Sequence, residues 1–269
     1  MRLVSLNAWG GKVWPTLRDW VADQAPDILC LQEVTRAPAA GPDWLIYRDA
    51  DRELWQRADL FGDISRCLPR HQAWFSPATR GHLVDTEGGR HVSEHGLALW
   101  CRGDLAMTEQ SSAFVHGAYR GNGWGPQPVP RTMQMARIHD PDAGAGLVVA
   151  HFHGLRDPSG KGDTTARLAQ SEAVMRRLEV FRRPGEPTVL AGDFNLTPDT
   201  AGFRALLVGG LVDLVTTGGH ADTRTTLYPK PVRLADYMLV SPQLRLRAFD
   251  VPARPEMSDH RPLVLEFGL

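Results

Sequence analysis

Thr188-Val189-Leu190-Ala191-Gly192-Asp193-Phe194-Asn195-Leu196 opens as a short apolar run of strand type and then places an acid and an amide two positions apart. Four apolar or β-branched residues in a row read as a strand buried on one or both faces. A charge at its end is not something a core asks for. On extended backbone Asp193 and Asn195 turn to the same side. Hydrolysis of a phosphate ester needs such a pair: an acid to orient or deprotonate water, and a neutral donor that stabilises charge on the phosphoryl oxygens.

The same construction recurs. Apolar runs at Leu3 to Leu6, Ile28 to Leu31, Leu97 to Trp100, Leu147 to Phe152, Tyr237 to Val240 and Leu263 to Phe267 each read as a strand. Three of them also close on a polar residue: Asn7, Glu33 and His153. Carboxyl ends of strands hold ligands in α/β proteins because the sheet fixes the backbone while the loops vary. Taken singly, Asn7 and Asp193 read as turn formers, Glu33 as a solvated acid and His153 as a satisfied half-buried ring. One shared site explains the four together.

Between the strands, Val13, Leu17, Trp20 and Val21 share a helical face with Pro15 near the first turn, and Leu168, Ser171, Met175 and Leu178 share another. A third helix is expected to start on Thr197 as N-cap, with Pro198 at its first position, and to stop at Gly209-Gly210. Arg48 to Glu94, rich in charge and histidine, reads as loops with short elements on the rim. Gly117 to Pro130, crowded with glycine and proline, reads as a loop carrying Trp124.

With 269 residues, 42% hydrophobic and 23% charged, the chain can bury a large core, and one catalytic domain over 1–269 is expected. The net charge of −1 argues against broad attraction to duplex nucleic acid. Cys30, Cys67 and Cys101 have neither disulfide-framework nor zinc-finger spacing, and Arg2-Leu3-Val4-Ser5-Leu6 starts a strand rather than an export signal. A cytoplasmic protein without a membrane partner is the expectation.

Gly160-Lys161 invites a P-loop reading, but Leu155 and Gly162 stand where that motif needs Gly and Ser or Thr. Lys161 is left as a residue that reaches substrate or simply belongs to the loop. His151 shares a strand face with His153, so a His-x-His transition-metal site is weighed against a buried supporting histidine. Asp236 read alone caps the strand from Tyr237. Ser258-Asp259-His260 sets an acid beside an imidazole in one loop.

In this order Asn7, Gln32-Glu33, His153, Gly192-Asp193-Phe194-Asn195, Asp236-Tyr237 and Ser258-Asp259-His260 match the motifs of the endonuclease/exonuclease/phosphatase superfamily, which the chain resembles from residue 7 to residue 260. The resemblance implies a four-layer α-β-β-α sandwich, two packed and mainly antiparallel β-sheets with helices outside, as in deoxyribonuclease I. It implies Mg²⁺, with Mn²⁺ as the alternative, on Glu33 with Asn7 and Asp259 nearby. Asp193 would activate water, Asn195 would hold a phosphoryl oxygen, and His260, oriented by Asp236, would contact the scissile phosphate. That carboxylate is expected to raise the imidazole pKa. His153 would assist the leaving oxygen or bind phosphate.

Substrate choice falls to the loops. Arg131 starts a strand-like run and either aims at phosphate or lies solvated on an edge strand. Arg224, Lys230 and Arg233 sit in the loop Thr223 to Arg233, and Trp124 and Trp55 offer stacking surfaces or core. Arg176, Arg177, Arg182 and Arg183 read as a solvated helix face. The leading expectation is a phosphodiesterase or nuclease acting on single strands, ends or short oligonucleotides. A phosphomonoesterase or small-molecule phosphodiesterase is the alternative, and a binding module retaining the fold is the alternative of another class.

Overall fold

The computed structural model describes residues 1–49, 52–124, 128–157 and 160–269. In chain order the elements are β1 (Arg2–Asn7), a 3-10 turn (Trp9–Gly11), α1 (Trp14–Gln24), β2 (Ile28–Arg36), β3 (Trp44–Asp49), β4 (Arg52–Arg57), α2 (Leu60–Cys67), β5 (His71–Val84), β6 (Arg90–Arg102), β7 (Ala106–His116), β8 (Arg131–Asp140) and β9 (Ala145–Phe152). They continue with α3 (Thr165–Phe181), β10 (Thr188–Asp193), α4 (Ala201–Leu207), β11 (Val212–Asp213), α5 (Leu214–Thr217), β12 (Asp236–Val240), β13 (Arg245–Asp250) and β14 (Leu263–Gly268).

Among the described residues the strands form an eight-stranded sheet, β13-β14-β1-β2-β6-β5-β3-β4, and a six-stranded sheet, β11-β12-β10-β9-β8-β7. Each contains one parallel pair, β1 with β2 and β10 with β9, and is otherwise antiparallel. The sheets pack face to face. Alternation along β1 and β2 sends Leu3, Ile28 and Cys30 into the cluster shared with the second sheet, and sends Val4, Leu6, Leu29 and Leu31 outward onto Leu17, Trp20 and Val21 of α1 and Leu60 and Ile64 of α2. On the far side Val174, Met175 and Leu178 of α3 and Phe203 and Leu206 of α4 cover the second sheet. This is the expected α-β-β-α sandwich.

The inner face grades from apolar to polar along each central strand. Leu3, Ser5, Asn7 and Ile28, Cys30, Gln32 meet Val149, His151 and Val189, Ala191, Asp193 from the other sheet, so the core ends where the polar residues begin. A buried polar chain marks the boundary. Gln134 spends its amide N–H groups on the Trp74 carbonyl (3.1 Å) and Ser76 Oγ (2.9 Å), so its Oε1 accepts from His151 Nε2 at 2.7 Å. His151 Nδ1 is then an acceptor, facing Gln32 Nε2 at 3.3 Å. Both ring nitrogens are spent on amides, and the transition-metal reading of His151 gives way to that of a buried supporting histidine.

Burial pushes the His151 imidazole down to about 3. Its folded pKa lies below the unfolded value near 6.5, so the stability it lends is full above that value and is lost as pH falls from there toward 3. At pH 5 the loss is about 2 kcal/mol relative to pH 7. Urea midpoints at the two pH values measure it, and His151→Gln is expected to shrink the difference; an unchanged difference would remove His151 from the account.

The stretch from Arg48 to Glu94 corrects the sequence reading. Apart from Ala50 and Asp51, which lie outside the described residues, it holds β4, α2, β5 and the start of β6, with the end of β3. The β5–β6 hairpin pairs His71 with Arg102 through to Val84 with Arg90. Its register shifts between Pro77 and Thr79, and strict in-out alternation holds only beyond the shift, from Thr79 to Leu83, so no single period runs through it. α4 is capped by Thr200, whose side chain accepts from Phe203 N, and not by Thr197; Pro198 lies in the preceding turn.

Trp124 is half-buried, donating to the His82 carbonyl (3.3 Å) and lying edge-on to Tyr47, so it is chiefly a packing residue; Trp55 is exposed. Gly125 to Gln127 of that loop and Pro158-Ser159 lie outside the described residues. No helix among the described residues is long and apolar enough to cross a membrane.

Candidate active site

Two backbone positions that side-chained residues rarely adopt build the site. Glu33 does not end β2 but sits inside it, at φ +54°, where the register against β6 shifts between Leu31 and Val34. Asn195, at φ +53°, follows β10 in a left-handed turn instead of continuing the strand. Each costs on the order of 1–3 kcal/mol, a strain that the surrounding packing sustains where a side chain must be aimed. Gly192, at φ +138°, lets β10 lie against β9, since a Cβ there would stand 2.1 Å from the Phe152 carbonyl oxygen. Gly192→Ala is therefore expected to destabilise the fold by about 3 kcal/mol or more, read as a drop in urea midpoint.

Asp193 is the hub. Its Oδ2 lies 3.1 Å from Asn7 Nδ2, 3.2 Å from Asn195 Nδ2, and 3.5 Å from Nε2 of both His153 and His260. Its Oδ1 accepts from Asn195 N at 3.1 Å. The residues come from β1, β10, the segment after β9 and the segment before β14, so the sandwich has to be assembled before the site exists.

His260 is aimed by Asp236, whose two oxygens lie 2.8 and 2.9 Å from Nδ1. The Nδ1 proton is thereby committed and Nε2 faces Asp193. Thr223 Oγ1 donates to Asp236 Oδ2 at 2.8 Å while accepting from the amides of Ala235 and Asp236, which locks the carboxylate. Ser258, fully buried, donates to the Asn7 carbonyl at 2.7 Å and accepts from His260 N at 3.2 Å, joining the last motif to the first.

Burial governs the charge states. It pushes the Asp236 carboxyl up to about 6, with Arg224 and the Thr223 hydrogen bond opposing, and pushes Asp259 up against His260 and Arg224. It also lowers His260, helped by Arg224 and opposed by Asp259, Asp193 and Glu33. The rise expected for His260 from its carboxylate partner is thus outweighed by desolvation. His153 falls well below the usual imidazole value, through burial first and then Arg131, His95, His260 and Arg224.

Two carboxylates keep acceptor capacity for a cation. Asp259 Oδ2 accepts from Arg224 Nη1 at 2.9 Å, but its Oδ1 is buried without a hydrogen-bond partner. Glu33 is partly exposed, with Oε1 accepting from Asn7 Nδ2 at 3.1 Å. Two such carboxylates suit a hard ion that keeps several waters, as Mg²⁺ and Mn²⁺ do. Asn7 reaches both acids through its amide nitrogen, while its Oδ1 accepts from Trp9 N at 3.1 Å. It thus bridges the two carboxylates, and its Oδ1 keeps a second lone pair that could face a cation. Asp193, Asp236 and His260 also bring ligand-type atoms within 4.8 Å of one another, although Asp236 already spends both oxygens on His260 and Thr223.

Arg131 is not a solvated edge arginine and lies close enough to Glu33 and Asp193 to feel their charge. β8 lies between β7 and β9, the side chain is buried, and Nε donates to the Gly154 carbonyl at 3.2 Å. Burial lowers its pKa, and Glu33 and Asp193 pull the other way; the guanidinium stays charged.

Two loop cations whose place the sequence left open, and one histidine it did not single out, stand beside this cluster. Arg224, buried on Tyr228 with Cζ 4.2 Å from the ring centre, reaches within 4.0 Å of Asp193. Lys161 donates to the carbonyls of Val232 (3.0 Å) and Leu234 (2.8 Å), so it pins the Thr223 to Arg233 loop. His95, at the β5 and β6 bulges, is lowered to about 4 by burial although Glu33 favours its charged form.

The model of the Endonuclease/Exonuclease/phosphatase family matches residues 4–260. Uncharacterized protein YbhP of Escherichia coli (strain K12) is 26% identical over 260 residues, which is 96% of this chain and 89% of that protein. Among solved structures, a mannosyl-6-phosphatase of Bacteroides thetaiotaomicron VPI-5482 superposes with TM-score 0.71 at 17% identity, covering 100% of both chains. The human Nocturnin catalytic domain with bound sulfate superposes with TM-score 0.66 at 17% identity, covering 100% of this chain and 93% of its own. At those identities the structures speak for the fold, and the match over 4–260 for more: the chain belongs to the endonuclease/exonuclease/phosphatase family.

Proposed function

We propose that the chain is a divalent-metal-dependent phosphoesterase that cleaves its substrate by attack of water. The convergence of two amide nitrogens and two imidazole nitrogens on the Asp193 carboxylate, beside the separate acceptor pair Glu33 and Asp259, carries this reading. Glu33 and Asp259 hold the ion, Mg²⁺ or Mn²⁺. A bound ion there neutralises charge on the phosphoryl and leaving oxygens.

Asp193 orients the water and takes its proton. Asn195, fixed in its left-handed turn, keeps one amide hydrogen on Asp193 and exchanges its long 3.4 Å contact with the Gly154 carbonyl for a phosphoryl oxygen. His260 presents Nε2 to the phosphate because Nδ1 is spent on Asp236. In the buried setting it is held toward the neutral form; an arriving phosphate, itself anionic, favours its protonation and strengthens the contact. His153, neutral, serves better as an Nε2–H donor to a phosphoryl oxygen than as a source of a full proton. Arg131, charged at the Glu33 side, completes the anion-binding wall.

A phosphodiester, from a nucleotide or a short single strand, is the leading substrate class. A phosphomonoester is the second reading, favoured by the buried cations Arg131, Arg224 and Lys161, which match a doubly charged terminal phosphate. The test is hydrolysis of bis(p-nitrophenyl) phosphate and of p-nitrophenyl phosphate with Mg²⁺ or Mn²⁺, against EDTA and Asp193→Ala controls. Metal-dependent turnover lost in the variant supports the assignment and ranks the two classes. Turnover indifferent to EDTA removes the metal from the assignment, and turnover of neither ester leaves an enzyme of narrow specificity or the binding-module reading.

A further inference from the structure

Resting on that reading, we infer that Arg224 acts as a fixed cation at the Asp193–Asp259 side of the site, and that the enzyme therefore takes one divalent ion where an open carboxylate cluster would take two.

Charge comes first. Glu33, Asp193, Asp236 and Asp259 crowd one pocket, and uncompensated burial of such groups costs several kcal/mol each. Arg131, Arg224 and Lys161, all buried, answer them, so three basic side chains face four acids. One divalent ion turns the pocket into a host for a phosphate anion. A second would add charge with no carboxylate left to meet it.

Geometry agrees. Arg224 Nη1 occupies Asp259 Oδ2 at 2.9 Å and Nη2 stands 4.0 Å from Asp193 Oδ2. The remaining approaches to that Asp193 oxygen are taken by nitrogens of Asn7, Asn195, His153 and His260. An ion bridging Asp193 and Asp259 would have to displace the guanidinium. Arg224 is held against that. Thr223 and Thr225 on either side bond to Asp236 and to the Ser258 carbonyl, Tyr228 stacks on its guanidinium, and its own carbonyl accepts from Arg233 and Arg261.

Its Nε is buried without a partner. A folded core does not leave a charged donor unpaired without compensation. The position of the positive charge, more than any full set of hydrogen bonds, is what this side chain supplies.

The experiment counts Mn²⁺ bound per chain by calorimetry and by electron paramagnetic resonance of free Mn²⁺, on the wild type, Arg224→Met and Arg224→Lys. Methionine keeps an unbranched stem and removes the charge; lysine keeps a charge. The expected result is about one ion for the wild type and Arg224→Lys, and a second, weaker ion for Arg224→Met. Two ions on the wild type overturn the inference and leave the phosphoesterase assignment standing. One ion on a folded Arg224→Met, at unchanged affinity, also overturns it. No Mn²⁺ bound by the wild type overturns the metal-dependent reading itself. Should Arg224→Met not fold, Arg224→Gln, which also removes the charge, takes its place with the same two outcomes.

Discussion

Asp193→Asn is expected to lower kcat on a chromogenic phosphate ester by about 10³-fold while leaving the protein folded. The amide matches the carboxylate in shape but cannot take a proton from water. It also brings an N–H group into a ring of nitrogens, Asn7 Nδ2 at 3.1 Å, Asn195 Nδ2 at 3.2 Å and two imidazoles at 3.5 Å, that is built to face an acceptor. One amide orientation keeps an oxygen toward those donors, so the cost in stability is smaller than the cost in rate. Steady-state kinetics with Mn²⁺, beside a thermal melt, measures both. A loss below about tenfold in a folded variant would take the general base away from Asp193.

That prediction begins from residues readable without coordinates. Asn7, His153 and Asp193 are legible because each ends or follows an apolar strand, and a core gives no reason for a polar residue there. The helices of Val13 to Val21 and Leu168 to Leu178 are legible because one face is buried and one is wet. Glu33 is legible as a polar interruption, but its place inside β2 depends on a bulge that local sequence does not announce. The β5–β6 hairpin escapes for a related reason: a long ribbon whose register shifts midway has no one period to detect.

Arg224 is hidden by its neighbourhood. Arg224, Lys230 and Arg233 look alike in a basic loop, and only the fold separates the buried one from the others. The available signal is the flanking pair Thr223 and Thr225, whose hydroxyls bond to Asp236 and to the Ser258 carbonyl and so turn the residue between them toward the acids. Lys161 is equally obscure, since its partners are backbone carbonyls some seventy residues on. A bulge, a buried guanidinium and a lysine strut are tertiary facts, set by which segments meet and not by what any one segment prefers.

Glu33→Gln separates a metal ligand from a merely structural acid, because the two roles move stability and activity in different directions. Glu33 and Asp193 add to the repulsion that, after burial itself, raises the Asp259 carboxyl. The glutamine oxygen still accepts from Asn7 Nδ2, so the hydrogen bond at 3.1 Å survives while one of the crowding charges goes. The metal-free variant is therefore expected to melt about 2 °C higher than the wild type, a modest shift because the side chain is partly exposed. The Mn²⁺ concentration for half-maximal hydrolysis is expected to rise by about 10²-fold, at least what losing an outer-shell partner costs. A thermal melt in EDTA and a Mn²⁺ titration of activity give the two readings. Both falling together would mark Glu33 as a scaffold for the β2 bulge. A melting point that rises while metal is lost marks a ligand, its repulsion the price of the site being ready for the ion.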